Sequence, residues 1–280
     1  MNNILITGAS GFVGMQVMKV LNNFKNVNLF PVVRTEKKNI FKKFNNVKNI
    51  YFTKDIFNES ENWWKKKLHK IDIVIHIAWH VKYKEYLDSE LNINCLHGSL
   101  RLGSAVAESG VKRFVGIGTC MEYSLKKGKI TVNTALDPKN LYSITKVALF
   151  TSLQKLFIIK KKEFVWCRLF YLYGEGEDQR RLSAYIHKQL QNGLPAKLTS
   201  GNQIRDFINV CDAAKIISNI SLDKNVGVIN ICSEKPISIR KFAQNIAAKY
   251  GRLDLLKFGE KKFLLNEPRV VWGVKNYEKT

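Results

Sequence analysis

Apolar runs alternate with helical patterns through the first 170 residues of the chain. The runs predict strands over residues 3–7, 27–33, 50–53, 71–79, 111–118 and 163–170. Between them, apolar residues recur at helical spacing over 12–24, 90–108 and 142–159. Pro31 suggests an irregularity in the second strand. Strands that alternate with helices predict an α/β fold, with a parallel sheet covered by helices on both faces.

The pattern changes after residue 171. The further predicted elements are a helix over 181–192, a buried strand over 227–232 and an amphipathic helix over 238–250. We expect residues 1–170, with about 210–232, to form the sheet domain. Residues 171–209 and 233–280 are then expected to form a smaller C-terminal lobe that is interleaved with it.

The composition is typical of an ordinary soluble protein. The chain has 280 residues, of which 45% are hydrophobic and 25% charged. Its apolar runs all fall short of the roughly 18 residues that would suggest a membrane span. The N-terminal MNNILITGAS lacks the basic and apolar regions of a signal peptide. We therefore expect a cytoplasmic protein without membrane insertion.

The five cysteines are odd in number, scattered, and without CxxC spacing. They are Cys95, Cys120, Cys167, Cys211 and Cys232. This usage favours free thiols in a reducing compartment over disulfides or a zinc site.

The formal net charge of +23 raises the question of a nucleic-acid partner. The lysines are spread over the whole length, with short runs at 65–67 and 160–162. Neither run is interleaved with aromatic residues as in a single-strand binder. The charge therefore favours a solvated basic surface that attracts an anionic, phosphate-bearing ligand, and we expect no nucleic-acid partner.

A glycine-rich loop follows the first strand and opens the first helix. Gly8, Gly11 and Gly14 form GxxGxxG within TGASGFVG. Such glycines allow a tight turn and a close backbone approach to a pyrophosphate, while the helix N-terminus supplies free N–H groups. The alternative is a glycine turn needed only for packing. In this strand–helix context the loop predicts dinucleotide binding and hence a doubly wound, Rossmann-type sheet.

The end of the second strand bears on which dinucleotide is bound. In an NAD site an acid there bonds the ribose 2′-hydroxyl, but here Val33 takes that position and Arg34 follows. An arginine suits a 2′-phosphate, which favours NADP(H) as the cofactor. NAD(H) remains possible, because Arg34 could be a surface residue and Glu36 lies close enough to reach a ribose.

Tyr142 and Lys146 lie at i and i+4 of a predicted helix and so share one face. A free tyrosine, with a pKa near ~10, is a poor acid–base catalyst at neutrality. A nearby ammonium group favours the phenolate and lowers that pKa. YxxxK is common by chance on surface helices. Its context supports a catalytic role here, because a glycine loop and a strand ending in GT lie upstream.

Several motifs in order resemble the extended short-chain dehydrogenase/reductase family, also called the NAD-dependent epimerase/dehydratase family of sugar-nucleotide enzymes. They are TGASGFVG (7–14), KDI (54–56), IHIAW (75–79), YSITK (142–146), CRLFYLYG (167–174), SGNQIRDFINVCDAA (200–214) and EPRVVWG (267–273). The resemblance covers nearly the whole length and is closest in character to reductases of CDP- or dTDP-linked 4-keto-6-deoxysugars. It implies a role in surface polysaccharide biosynthesis.

The resemblance also implies a set of binding residues. The implied cofactor contacts are Thr7, Gly8, Ser10, Gly11, Phe12, Val13, Gly14, Arg34, Asp55, Ile56, Ile77, Ala78, Trp79, Asn94, Tyr142, Lys146 and Phe170. Among them, Asp55 is implied beside the adenine, and Asn94 as a buried helix asparagine. The expected substrate contacts, for a nucleotide-diphosphate sugar, are His80, Tyr83, Tyr171, Arg205 and Arg269. The resemblance implies that the two arginines contact the diphosphate.

Two features depart from the family pattern. Tyr171 replaces the usual asparagine that touches substrate, and the aspartate usual after the last glycine of EPRVVWG is absent from WGVKN. The sequence stops at Thr280, where relatives often continue into another helix. We expect the edge of the lobe to be reduced or completed by another subunit. The family often dimerises through two long helices, which implies a homodimer.

The family's third catalytic residue lies four positions before a tyrosine, and counting back from Tyr123 gives Thr119. Its hydroxyl can donate to a substrate oxygen while Tyr142 exchanges the proton. The alternative is a strand-end hydroxyl that caps the following turn. Thr119, Tyr142 and Lys146 are thus the expected catalytic residues.

The residues after Thr119 narrow the reaction. Dehydratases of the family carry Asp-Glu there, whereas this chain has Cys120 and Met121, and Glu122 should point the other way. Cys120 could be an acid–base thiol, but a small packing residue is favoured. We expect an NAD(P)H-dependent 4-ketoreductase of a nucleotide-linked 6-deoxysugar. The alternatives are a 4-epimerase with tightly bound NAD and a non-catalytic NADP-binding regulator.

The histidines give no metal pattern. His69, His76, His80, His97 and His187 lack ligand spacing, and hydride chemistry needs no metal. His76 lies in a buried strand pattern and is expected to be a satisfied core residue.

Overall fold

A computed structural model describes residues 1–34, 39–126, 128–262 and 267–277. The strands are β1 Asn2–Thr7, β2 Val27–Arg34, β3 Tyr51–Thr53, β4 Ile73–His76, β5 Arg113–Thr119, β6 Lys129–Ile130, β7 Glu163–Leu169, β8 Tyr171–Tyr173, β9 Ala196–Leu198, β10 Ile204–Asn209, β11 Gly227–Ile231, β12 Pro236–Ser238, β13 Leu256–Phe258 and β14 Val270–Gly273. The helices are α1 Phe12–Leu21, α2 Glu61–Lys67, α3 Leu91–Ala107, α4 Leu141–Ile159, α5 Leu182–Gln191, α6 Val210–Leu222 and α7 Ile239–Ala248.

Seven strands form a parallel sheet in the order β11-β7-β5-β4-β1-β2-β3. The chain builds β1 to β3 in one direction, then crosses to the other side of β1 for β4. The order therefore reverses between β1 and β4, and ligands of open α/β sheets bind at such a switch point. The predicted α/β Rossmann fold is confirmed.

Helices cover both faces of the sheet. Alternate side chains of each strand point to opposite sides, so each strand contributes residues to both core layers. Ile4 and Ile6 of β1 pack with Val17 of α1 and Ile217 of α6 in one layer. Leu5 belongs to the opposite layer, which α2, α3 and α4 complete with apolar residues such as Trp64, Leu102 and Leu153. Continuous apolar strands are the expected result of this double cover.

Two strands differ from the sequence prediction. β4 ends at His76 rather than at residue 79, because the Thr7 hydroxyl accepts the backbone N–H groups of Ile77 and Ala78 at 3.1 and 3.2 Å. These two N–H groups therefore bond the Thr7 side chain instead of a neighbouring strand. Pro31 causes no break: it pairs in register with Ile6, just before the residues where pairing with β3 begins.

The remaining strands and helices form the smaller assembly beside the sheet. β12, β10, β14 and β6 make a second sheet, with β8 paired to β10, and β13 pairs with β9. α5 and α7 pack together through Ile186, Leu190, Phe242 and Ile246. The predicted strand over 227–232 is present as β11, which joins the edge of the main sheet. The sequence prediction missed α2 and α6, and α6 packs beside α1.

Within the described ranges, no helix has the length and apolar character needed to cross a bilayer.

Candidate active site

A cavity of about 1020 Å³ opens at the carboxyl ends of the strands and extends toward the smaller lobe. It contains the switch point between β1 and β4. The predicted residues that line it are Gly8, Ser10, Gly11, Phe12, Val13, Gly14, Arg34, Asp55, Ile56, Ile77, Ala78, Trp79, His80, Tyr83, Asn94, Thr119, Tyr142, Lys146, Phe170, Tyr171 and Arg205. One continuous space therefore joins the glycine loop to the expected catalytic residues.

Two glycine positions of the loop leave no room for a side chain. Gly8 has a φ of 67°, and a Cβ there would lie 2.7 Å from the Ala78 nitrogen. A Cβ on Gly14 would lie 2.1 Å from the Gly8 carbonyl oxygen. Gly11 is the N-cap residue of α1 and supplies no side-chain cap, so the first N–H groups of the helix are available to an anion. This cradle fits the pyrophosphate of a dinucleotide.

Thr7 supports this cradle from behind. It is fully buried and is absent from the cavity wall. Its hydroxyl bonds His76 Nδ1 at 2.8 Å and fixes the backbone of Ile77 and Ala78. The Thr7 side chain thus makes a structural contact that links β1 to β4, while its contact with the cofactor stays a prediction.

The far end of the cavity combines a basic and an acidic side chain. Arg34, at the end of β2, is exposed at this wall. The Asp55 carboxylate accepts the Phe57 N–H at 3.0 Å and the Asn58 side-chain amide at 2.7 Å, which fixes its orientation. Glu36, the alternative ribose ligand, lies outside the described residues. This end suits the adenosine part of a dinucleotide.

The expected catalytic residues meet where β5 ends beside the start of α4. Lys146 is 3% exposed, and its Nζ donates to the Ile117 carbonyl at 2.7 Å. The Tyr142 side chain lies on the same helix face, with its ring centre 6.0 Å from Lys146 Nζ. Thr119 lines the cavity, and its hydroxyl also accepts the Met121 N–H at 3.3 Å. It therefore caps the following turn and borders the cavity at once.

Burial dominates the acid–base behaviour of this pair. It raises the pKa of Tyr142 far above the usual value, while a hydrogen bond with Thr119 acts in the opposite direction. Burial lowers the pKa of Lys146 to about 7. The tyrosine is thus a protonated phenol at neutral pH, in a position to donate a proton into the cavity.

The residues after Thr119 offer little acid–base chemistry. Burial raises the pKa of the Cys120 thiol to about 12, so the thiol is neutral and packs in an apolar cluster. Glu122 is fully buried behind the cavity wall. Its carboxylate accepts from Arg168 Nε at 2.6 Å and from the Thr119 N–H at 2.8 Å. As predicted, Glu122 points away from the expected reacting end.

The expected substrate residues divide into two groups. Arg205 is 1% exposed, pairs with the Glu267 carboxylate at 2.7 Å and lies 5.2 Å from the Tyr171 ring centre. The Arg269 side chain does not join it. The Arg269 backbone carbonyl faces β10 instead, where it accepts the Ile204 N–H at 2.8 Å and Arg205 Nη1 at 3.4 Å. The Arg269 side chain is exposed and is absent from the cavity wall.

The buried asparagine of α3 is Asn92, not Asn94. Asn92 is fully buried, whereas Asn94 is exposed and borders the cavity. The two positions differ by about 200° around a helix, so only one of them can face inward. The expectation that Asn94 is buried is wrong, while its contact with the cofactor stays a prediction.

A family model agrees with this geometry over most of the chain. The model of the NAD dependent epimerase/dehydratase family matches residues 4–232. The chain belongs to this family. It is therefore an enzyme of the extended short-chain dehydrogenase/reductase type.

Individual relatives are more distant. A dTDP-6-deoxy-L-talose 4-dehydrogenase (NAD(+)) of Aggregatibacter actinomycetemcomitans is 26% identical, over 98% of this chain and 100% of its own length. YtcB of Bacillus subtilis (strain 168), an uncharacterized UDP-glucose epimerase, is 28% identical, over 96% of this chain and 88% of its own. The structure of a UDP-N-acetylglucosamine 4-epimerase from Methanobrevibacter ruminantium M1 is similar with a TM-score of 0.82. It is 20% identical and covers 98% of this chain and 88% of that one.

Some cavity residues of this epimerase/dehydratase family member escaped the sequence prediction. They are Tyr86, Cys95, Glu177, Arg181, Phe207 and Glu267. Tyr86 packs edge-on against Tyr142, with ring centres 5.0 Å apart. Burial raises the pKa of Glu177 to about 7. The aromatic spacing of HVKYKEY (80–86) was an available signal for Tyr86. Glu267 lies in EPRVVWG, but its pairing with Arg205 had no local signal.

The described residues contain no group of three or more His, Cys, Asp and Glu side chains that could hold a metal ion. All five cysteines belong to the described part of the chain, and all are free thiols. His76 is buried and bonds Thr7 and Ser99, as expected of a satisfied core histidine.

Proposed function

We propose that this enzyme reduces the 4-keto group of a nucleotide-linked 6-deoxysugar with NAD(P)H. The observation that carries the proposal is the arrangement at the end of β5. Thr119, Tyr142 and Lys146 border the cavity that continues from the glycine cradle, while neutral Cys120 and Met121 stand where a dehydratase would need an acid and a base. The name of the talose 4-dehydrogenase relative describes the reverse of such a reduction.

In the proposed mechanism, the protein's side chains bind the ketone and deliver a proton. The bound dinucleotide supplies the hydride. The Thr119 hydroxyl orients the substrate oxygen, and the Tyr142 phenol protonates it as negative charge develops there. The Lys146 ammonium, held by the Ile117 carbonyl, stabilises the resulting phenolate.

We further propose that the substrate diphosphate binds Arg205 and that Tyr171 contacts the sugar nucleotide. Arg205 is buried beside the cavity and already pairs with Glu267. Burial strengthens charge interactions because the local dielectric is low. Arg269 is left out of this binding site.

For the cofactor, we propose a preference for NADP(H) over NAD(H), based on Arg34 at the cavity wall. The talose dehydrogenase relative is named for NAD(+), so NAD(H) is the alternative. Calorimetric titration of the purified chain with NADPH and NADH tests this choice. Tighter binding of NADH would contradict the preference.

The decisive experiment incubates the protein with NADPH or NADH and a panel of nucleotide 4-keto-6-deoxysugars. Loss of absorbance near ~340 nm, together with a 6-deoxysugar product, supports the reductase. If none of the keto sugars causes oxidation of NADPH or NADH, the reductase function is contradicted.

The second candidate is a nucleotide-sugar 4-epimerase, favoured by the YtcB relative's name. An epimerase needs the same tyrosine and lysine plus a retained NAD. Interconversion of UDP-hexoses without added cofactor, by protein that carries NAD through purification, would support this candidate.

A further inference from the structure

Trp79 places the face of its indole ring on the buried lysine of the site. Lys146 Nζ lies 3.7 Å from the ring centre, closer than the rings of Trp166 at 5.9 Å and Tyr142 at 6.0 Å. A cation over a tryptophan face is attracted by the ring quadrupole, most strongly where water is excluded. Lys146 is 3% exposed, so this contact is of the desolvated kind.

The indole ring is fixed by its own hydrogen bond. Trp79 Nε1 donates to Asn92 Oδ1 at 2.8 Å. The Asn92 amide donates in turn to the carbonyls of Tyr86 at 2.6 Å and Ser89 at 2.8 Å. The edges of Phe57 and Tyr142 pack against the indole. Asn92 thus ties the ring to the segment that carries Tyr86, and the ring cannot rotate freely.

Four titratable groups face Lys146 from the elements packed around it. These are His76 of β4, Cys95 of α3, Glu122 of the turn after β5, and Tyr142 of α4. Burial lowers the pKa of His76 to about 3 and raises that of Cys95 to about 11, so both are neutral at pH 7. The Glu122 carboxylate is already paired with Arg168. The Ile117 carbonyl and the indole face of Trp79 are therefore the close groups that favour the charged lysine.

We propose that Trp79 is a positioning residue, which keeps the Lys146 side chain charged and aligned beside Tyr142 through its Asn92-anchored ring. The proposal deepens the ketoreductase function and rests on it for the activity readout alone. Because Trp79 acts through Lys146, replacing Trp79 changes the pH dependence of turnover.

The first test compares Trp79→Leu and Trp79→Phe with Trp63→Leu, a half-buried tryptophan outside the cavity. Turnover needs the ammonium and falls as pH rises through its titration. In Trp79→Leu this fall moves to lower pH by about 0.5–1.5 units, from the size of a cation–π contact. Trp79→Phe keeps an aromatic face and shifts less, and Trp63→Leu leaves the profile unchanged. The effect falls mainly on kcat rather than on KM.

The second test needs no substrate and separates this proposal from the proposed function. NMR of the cofactor-free protein labelled at lysine Cε, with Lys146→Arg to assign the signal, follows the titration of Lys146. We expect ε-proton signals shifted upfield by the indole ring, and a titration midpoint that is lower by about 0.5–1.5 pH units in Trp79→Leu. An unchanged midpoint in both Trp79 variants overturns the proposal, whatever the activity. A lower midpoint supports it even if every keto sugar fails.

Discussion

At the residue scale, the reacting end of the cavity places a lysine and a tyrosine in surroundings that oppose their charged forms. Burial lowers the pKa of Lys146 to about 7 and raises that of Tyr142 well above its ordinary range. Each charged form therefore depends on specific partners: the Ile117 carbonyl and the Trp79 ring for the ammonium, and Lys146 itself for the phenolate.

Replacing Tyr142 by phenylalanine removes the proton donor and keeps the ring. We expect cofactor binding to survive while kcat falls by about 100- to 10,000-fold, the usual contribution of a positioned acid. Steady-state kinetics and cofactor titration measure the two effects. The matched control is Tyr173→Phe, because Tyr173 packs in the smaller lobe outside the cavity wall. Unchanged turnover in Tyr142→Phe would remove Tyr142 from the mechanism.

Replacing Lys146 by methionine is expected to stabilise the fold while abolishing turnover. The folded-state pKa of about 7 lies below the unfolded value of 10.5, so the unfolded chain binds more protons between these pH values. Wild-type stability from this group thus rises with pH from about 7 to 10.5. The gain in Lys146→Met, on the order of 1–4 kcal/mol, is largest below pH 7 and shrinks above it.

Urea unfolding of both proteins across this pH range measures the difference. A methionine variant that is less stable than wild type at pH 6 would show that the burial of Lys146 carries no net penalty.

At the element scale, the start of α1 depends on its contact with the end of β1. A methyl group on Gly14 would lie 2.1 Å from the Gly8 carbonyl oxygen, which belongs to the backbone and cannot turn aside as a side chain could. The helix cannot move away without loosening its packing against α6. The glycine spacing therefore fixes the distance between helix and strand as well as the anion cradle.

Gly14→Ala is expected to lower the free energy of unfolding by about 1–3 kcal/mol, the usual cost of overpacking, and to weaken cofactor binding. Gly110→Ala is the matched control, since its added methyl group meets no atom within 4 Å. Urea unfolding and cofactor titration report the two effects. Equal behaviour of the two variants would contradict the role given to the loop.

At the scale of the whole molecule, one buried carboxylate connects the pieces of the smaller lobe. Asp206 of β10 accepts the N–H groups of Ser233, Glu234 and Gly273, at 2.7, 3.0 and 3.2 Å. It thereby joins the segment after β11 to β14. The division into a sheet domain and an interleaved lobe stays a prediction, and this carboxylate lies at the proposed border between them.

The outer faces of α3 and α4 present apolar side chains to solvent, and the homodimer stays a prediction. Ile93 of α3 is 38% exposed, and Ile144 and Ile158 of α4 are 47% and 65% exposed. We expect light scattering to give the mass of two chains, and the Ile144→Glu/Ile158→Glu variant to give that of one. Val226→Glu, at another exposed apolar residue, is the control. A monomeric wild-type protein would contradict the dimer.

The sequence by itself determined the features that depend on local spacing. Alternating apolar runs fixed the α/β class, the glycine triplet marked the loop after β1, and i,i+4 spacing placed Tyr142 and Lys146 on one helix face. These features need only the geometry of one strand, turn or helix, so their residues are close in sequence.

Only the tertiary structure decided which side chains meet across the fold. Asn92 rather than Asn94 faces inward, Arg205 pairs with Glu267 while Arg269 stays outside, and Trp79 covers Lys146. Thr7 likewise ends β4 from another strand. Each of these contacts joins residues at least 13 positions apart. Long-range packing selects among side chains of similar type, and no local sequence pattern encodes that packing.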